Sequence, residues 1–250
     1  MAVRFLAVGE LLVDVVAAGA GHGARIRVRP AGSAFNAAVA AAAAGADAAV
    51  IGTVGDDAAG RMIVRELEAH GVRPIVSRAG GATGTFLLVD GEIRVDRGDS
   101  HLLGVADPVA ADAVLVSGYL PHAADVLASA EGTWVALDAA RLSALPPGGN
   151  AVIANEETAR RLTGRNGEQA VRVLGERYRL ACVTSGEDGA VAILDGRLEA
   201  AREDPVDADA LGAGDAFAAT LLVGMARGDD LGRALRDGCR AARTAIANRH

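Results

Sequence analysis

Val3-Arg-Phe-Leu-Ala-Val8 runs apolar into Gly9, Asn36-Ala-Ala-Val-Ala-Ala-Ala-Ala-Ala44 follows as a helical stretch of small residues, and Ala48-Ala-Val-Ile-Gly52 is a second short apolar run. A buried strand, a helix and a second buried strand in that order make a βαβ unit. Working outward, Ala113 to Val116, Thr133 to Leu137, Ala151 to Ile153, Leu180 to Thr184 and Val191 to Leu194 repeat the strand pattern, several of them separated by helix-like stretches. This alternation predicts an α/β fold, a mostly parallel central sheet with helices on both faces. Gly212 to Arg227 and Leu231 to Ala247 both show helical periodicity with no strand between them.

Two stretches break the pattern. Arg25 to Arg29 and Thr85 to Asp96 alternate apolar and polar residues, and the second contains Asp90-Gly91, a strong hairpin turn. They predict a small antiparallel lid, from about 24–31 and 83–98, inserted in a single domain that covers residues 1–250. Its apolar residues Ile26, Val28, Phe86, Leu88, Ile93 and Val95 are expected to form one face, too large for one thin layer to cover.

The chain has 250 residues, 51% of them hydrophobic, which is enough to bury one large core. No apolar run approaches the roughly 20 residues of a membrane helix, and Met1 to Leu6 leads straight into a strand pattern without a leader peptide, so cytoplasmic placement is expected. The two cysteines, Cys182 and Cys239, read as reduced thiols, and the five histidines show no metal-ligand spacing. A net charge of −7 works against nucleic-acid or anionic-membrane partners. All 25 basic residues are arginine. The absence of lysine excludes a Schiff base and a phosphate-binding lysine, so phosphate must be handled by backbone N–H groups, helix dipoles, arginine and metal ions.

The sharpest chemical feature is Asp209-Ala-Leu-Gly-Ala-Gly-Asp215-Ala-Phe, a glycine-bearing turn that delivers the chain into a long helix. The N–H groups of Gly212, Ala213 and Gly214 fall at the positive end of the helix dipole, and Asp215 follows in the first turn. On position alone, an aspartate there is a capping residue. The segment resembles the D-T-x-G-A-G-D motif of the PfkB (ribokinase-like) carbohydrate kinases, with Ala210 in place of threonine. The resemblance implies that Asp215 is the general base acting on the acceptor hydroxyl, that Gly212, Ala213 and Gly214 form an anion hole, and that Asp209 helps to hold a monovalent cation such as K⁺.

Other segments resemble the same family in the same order. Ala31-Gly-Ser-Ala-Phe-Asn36 and Ile51-Gly-Thr-Val-Gly-Asp-Asp57 with Gly60 are similar to its G-G-x-x-x-N and G-x-V-G-x-D-x-x-G patterns, with Ala31 replacing a glycine. They imply a sugar site at Gly32, Ser33 and Asn36, joined by Asp14 from Gly9-Glu10-Leu-Leu-Val-Asp14, which resembles a strand-end acid. On the ATP side, Thr184-Ser-Gly186-Glu-Asp-Gly189 resembles T-x-G-x-x-G, and Asn155-Glu-Glu-Thr158 resembles N-x-x-E with Thr158 at the glutamate position. They imply nucleotide contacts at Asn155, Thr184, Gly186 and Gly189, and a water-mediated Mg²⁺ contact at Glu157.

The expected activity is therefore transfer of the γ-phosphate of ATP to a primary hydroxyl of a small sugar or sugar acid of the 2-keto-3-deoxygluconate, ribose or fructose kind. A nucleoside kinase of the same family and a catalytically lapsed binding protein are the alternatives. Aromatic content of 3% leaves little to stack a base on, and Gly19-Ala-Gly21-His-Gly23 lacks the dinucleotide-binding spacing. In this family the lid often clasps that of a second subunit, so a homodimer through the lid is expected.

Overall fold

The computed structural model describes residues 1–19, 21–89, 91–101, 109–204 and 211–247. In chain order the strands are β1 (Arg4–Val8), β2 (Leu12–Ala18), β3 (Arg25–Ala31), β4 (Asp47–Gly55), β5 (Arg73–Ala79), β6 (Thr83–Val89), β7 (Glu92–Gly98), β8 (Val109–Ala110), β9 (Ala113–Ser117), β10 (Ala130–Glu131), β11 (Trp134–Asp138), β12 (Ala151–Asn155), β13 (Leu180–Thr184), β14 (Ala190–Leu194) and β15 (Arg197–Ala201). The helices are α1 (Ser33–Ala43), α2 (Ala58–Ala69), α3 (Ala123–Ser129), α4 (Glu156–Thr163), α5 (Gly167–Gly175), α6 (Ala213–Arg227) and α7 (Leu231–Ala247).

Nine strands form one sheet in the order β15-β14-β13-β12-β11-β9-β1-β4-β5. It is parallel from β13 to β5, and β14 and β15 add an antiparallel edge. Strand periodicity sorts the side chains: Phe5 and Ala7 join one core with residues of α1, α2, α6 and α7, while Leu6 and Val8 join a second core with α3. A third cluster packs Val152, Ala154, Ala181 and Val183 against α4 and α5. Helices thus cover both faces, as the alternation predicts. No helix among the described residues is long and apolar enough to cross a membrane.

The alanine run of α1 serves close approach. Ala37, Ala38 and Ala41 are buried against α6, which presents Ala218 and Ala219 to the same core. The helix then ends in a paired cap, with Gly45 at φ 86, its N–H bonded to the Ala42 carbonyl (2.9 Å) and the Ala46 N–H to the Ala41 carbonyl (3.0 Å).

The lid is a separate four-stranded sheet in the order β3-β2-β6-β7. The alternating segments are β3, β6 and β7, and the sheet also takes in β2, which the sequence reading leaves as the end of a central strand. Its outer pairs are antiparallel and its middle pair, β2 with β6, is parallel. Register corrects the expected single apolar face. Phe86 pairs with Val95 and Leu88 with Ile93, in line with Asp14 and Val16, whereas Val28 pairs with Val15 and Ile26 with Ala17 on the other face. Ile26, Val28, Ile93 and Val95 are all exposed, so apolar surface is divided between the two faces.

Asp57 pins the lid to the main sheet. It caps α2 by accepting from the Gly60 N–H (2.7 Å), and it also accepts from the N–H (2.8 Å) and hydroxyl (2.7 Å) of Thr83, the first residue of β6. These bonds favour the carboxylate and hold the Asp57 pKa below the ordinary value against the opposing effect of burial. The family-like aspartate is thus a joint between α2 and the lid.

Candidate active site

In an open α/β sheet, ligands bind beyond the carboxyl ends of the parallel strands. Here β1, β9, β11, β12 and β13 end at one side of a cleft of about 690 Å³, and the lid forms its other side through Leu12, Asp14, Phe86, Ile93, Val95 and Arg97.

The floor is built by two helix starts. Gly212 adopts φ 78, a left-handed conformation that a side chain resists, and turns the chain into α6, leaving the first N–H groups of the helix without helical partners. Gly214 is exposed, and a methyl group there would meet open space. Asp215, in the first turn, accepts a hydrogen bond from Asn36 Nδ2 at 2.8 Å. A charge-assisted bond of this kind contributes about 1.5–3 kcal/mol and fixes the carboxylate across the α1–α6 junction. Gly32 caps α1 at φ 105, and a Cβ there would stand 2.9 Å from the Glu10 carbonyl carbon and 3.0 Å from the Leu12 N, so only glycine fits. Ser33 Oγ donates to Ser117 Oγ (2.7 Å), tying α1 to the end of β9.

Of the residues selected from the sequence, Asp14, Gly32, Ser33, Asn36, Asn155, Thr184, Gly212, Gly214 and Asp215 line this one cleft. Asp14 reaches it from lid strand β2 rather than from the end of a central strand, buried and paired with Arg29 Nε at 3.4 Å. Ala213 buries its methyl group in the core. Gly186 (φ 57) and Gly189 (φ 87) shape the turn between β13 and β14, outside the cleft lining. Glu157 is exposed in the first turn of α4 and also outside the lining, because Thr158 is the residue of that turn that faces inward. Asp209, and the K⁺ expectation that rests on it, lie outside the described residues.

The cleft holds five further polar residues to which the sequence reading gives no role: Glu10, Arg97, Tyr119, Asp138 and Arg141. Glu10 is 4% exposed and pairs with Arg97, which also donates to the Tyr119 carbonyl (3.2 Å) and lies 5.9 Å over its ring. Burial raises the Glu10 pKa, and Arg97 draws it part of the way back. No hydrogen bond or ion pair engages Arg141 among the described residues.

Asp138 ends β11, and its carboxyl takes one hydrogen bond, from the Ala140 N–H at 3.2 Å. Burial pushes its pKa from 3.8 up to about 6. The folded state then binds the proton more tightly than the unfolded state, so stability falls as pH rises from about 4 to about 6 and the full cost, at most roughly 3 kcal/mol, persists above that. Asp138→Asn is therefore expected to raise the melting temperature at pH 8 and leave it unchanged at pH 4. Equal shifts at both pH values in paired thermal melts would sink the account of a half-buried, desolvated and under-bonded carboxyl. Such a carboxylate also suits a divalent cation. Among the described residues no cluster of three metal-ligating side chains occurs, so an ion there would depend on ATP phosphates and water for most of its ligands.

Comparison with known proteins agrees with this geometry. The family model of the pfkB family carbohydrate kinases matches residues 4–250, and the chain belongs to that family. The chain is 28% identical to a 2-dehydro-3-deoxygalactonokinase of Haloferax volcanii, over 87% of this chain and 81% of the relative. It is 31% identical to an ATP-dependent ribose-1-phosphate kinase of Halopiger xanaduensis, over 86% and 84% respectively. Among solved structures, ribokinase of Arabidopsis thaliana complexed with ribose and ATP superposes with a TM-score of 0.78 at 23% identity, covering 99% of this chain and 93% of that one. The protein is accordingly a phosphotransferase of the sugar and nucleoside kinase family, acting on a sugar hydroxyl.

Proposed function

We propose that this cleft transfers the γ-phosphate of ATP to the primary hydroxyl of a small sugar acid, with Asp215 as the general base. The observation that carries the reading is the Asn36–Asp215 pair set in the first turn of α6, directly beside the Gly212–Gly214 helix start. The carboxylate takes the hydroxyl proton as the oxygen attacks, and the N–H groups of the helix start stabilise charge on the phosphoryl group in flight. The lid wall, with Phe86, Ile93 and Val95, excludes water that would compete as acceptor. Mg²⁺, bound with the ATP phosphates, supplies charge neutralisation, and Asp138 and Asn155 are the cleft groups that would face it.

Acid specificity rests on two guanidinium groups. Arg97 and Arg141 both line the acceptor end, where Tyr119 and Asp14 also lie, and Arg141 is uncommitted among the described residues. One of the curated relatives is named for a ribose phosphate, an acceptor that likewise carries an anion. Phe86 and Tyr119 are the aromatic residues of the cleft lining, and the Tyr119 ring is already covered by Arg97, which disfavours a nucleoside base.

The test is ADP release with 2-keto-3-deoxygluconate, ribose, fructose, ribose-1-phosphate and adenosine as acceptors. A sugar acid is expected to give the highest kcat/KM. Arg141→Met should raise its KM about 10–100-fold, the loss of one charge-assisted contact, with little change for neutral sugars. A neutral sugar preferred by the wild type, or an unchanged KM in the variant, contradicts the assignment.

A further inference from the structure

Thr158 is 1% exposed, in the first turn of α4, at the position where the family pattern has glutamate. Its N–H is bonded to Asn155 Oδ1 (2.8 Å), its hydroxyl accepts from Arg161 (3.0 Å), and the same hydroxyl donates to the carbonyl oxygen of Ala140. Ala140, itself buried, has φ 40; among the described residues only Asp195 shares a positive φ without being glycine. A left-handed conformation is strained for an alanine, so it persists only where its surroundings enforce it.

The two neighbours of this strained segment are cleft residues: Asp138 lies two positions before Ala140 and Arg141 one after it. On the sheet side the turn is fixed by bonds from the Ala139 N–H to the Ile153 carbonyl (2.8 Å) and from the Gly118 N–H to the Asp138 carbonyl (2.8 Å). Ala140 also donates its N–H to Asp138 Oδ1. On the far side, the carbonyl of Ala140 has one hydrogen-bond donor among the described residues, and it is Thr158. Rotation about the N–Cα bond of Ala140 would relieve the strain, lose the Thr158 bond and swing Arg141 off the cleft wall.

We propose that Thr158 is a positioning residue of the acceptor site, whose hydroxyl holds Ala140 in the left-handed conformation and thereby fixes Arg141 on the cleft wall. This inference rests on the reading that Arg141 meets the acceptor's anion, and the experiment separates the two.

The experiment compares Thr158→Val, which keeps the shape and removes the hydroxyl, with Thr158→Ser, which keeps the hydroxyl. Three quantities are measured on the full chain: amide hydrogen exchange of the peptide over residues 138–142, KM for the sugar acid, and KM for ATP. Loss of one neutral hydrogen bond corresponds to about fivefold to tenfold. The valine variant is expected to exchange faster and to show a higher acceptor KM by about that factor, with KM for ATP within about twofold. The serine variant should match the wild type. Adding Ala140→Gly to the valine variant should restore most of the acceptor KM, since glycine holds a positive φ without strain. Should the valine variant fail to fold, Thr158→Cys, with its weaker donor, is judged by the same readouts. A valine variant with lowered melting temperature but wild-type exchange and acceptor KM overturns the proposal and leaves Thr158 a buried structural hydroxyl. If the wild type accepts no sugar acid, the functional reading fails, while the exchange data still decide whether Thr158 holds the turn.

Discussion

Asp215→Asn is expected to lower kcat by about 10²–10⁴-fold, the usual worth of a general base, while KM for both substrates stays within about threefold. The substitution is conservative in the right way. An amide oxygen at position 215 can still accept from Asn36 Nδ2, so the α1–α6 junction and the helix start keep their geometry, and only the ability to take a proton is lost. A fall in kcat with unchanged melting temperature assigns the loss to chemistry. A large rise in acceptor KM would instead make Asp215 a binding residue, and wild-type turnover would remove it from the mechanism.

The second large effect is expected at Gly212→Val. Its φ of 78 lies where a β-branched residue is a genuine outlier, so the variant must rotate the peptide that starts α6. That rotation redirects the N–H groups aimed at the transferring phosphoryl group, and loss of one such donor typically costs about 10²–10³-fold in kcat. Gly214 is the internal control: its φ is not positive and a Cβ there meets open space, so Gly214→Ala should leave stability unchanged. Steady-state kinetics alongside thermal melts separate the cases. If Gly212→Val lost stability and activity in proportion, the turn would be a fold element alone.

Much of the architecture was legible because buried parallel strands read as short apolar runs. β1, β9, β12 and β13 lie where those runs predict, since both of their faces are covered and polar residues fall only at their ends. The edges were not legible. β5 carries Pro74 and alternates exposed with half-buried residues, and β15 is mostly exposed, because an edge strand has one side to bury at most. The Asp195-Gly196 turn between β14 and β15, with both residues at positive φ, is a hairpin cue of the same kind as Asp90-Gly91 and passed unread. β2 was not read as a strand of its own, since Gly9 to Asp14 was taken only as a strand-end segment; its pairing with β3 and β6 assigns LVDVVAA to the lid.

The candidate site divides along similar lines. Glycine turns and the polar residues beside them lie in short stretches of sequence, so Gly32, Asn36, Gly212 and Asp215 could be selected from their resemblance to the family's motifs. Their hydrogen-bonded contact spans 179 positions in sequence and could not. Asp138 had a usable cue, a carboxylate immediately after an apolar strand at the ligand-binding edge. Arg141 had none, since its place on the cleft wall depends on the backbone conformation of Ala140. Glu10 and Arg97 meet only when the lid strand β7 returns to the end of β1.

The most direct test is phosphorus-31 NMR of the protein with Mg·ATP and 2-keto-3-deoxygluconate. The wild type is predicted to form a phosphomonoester whose resonance is split into a triplet by two protons on the adjoining carbon, the mark of a primary hydroxyl, and Asp215→Asn is predicted to form it at least about 100-fold more slowly. Formation of inorganic phosphate alone, or of the monoester at equal rates by both proteins, would contradict the account.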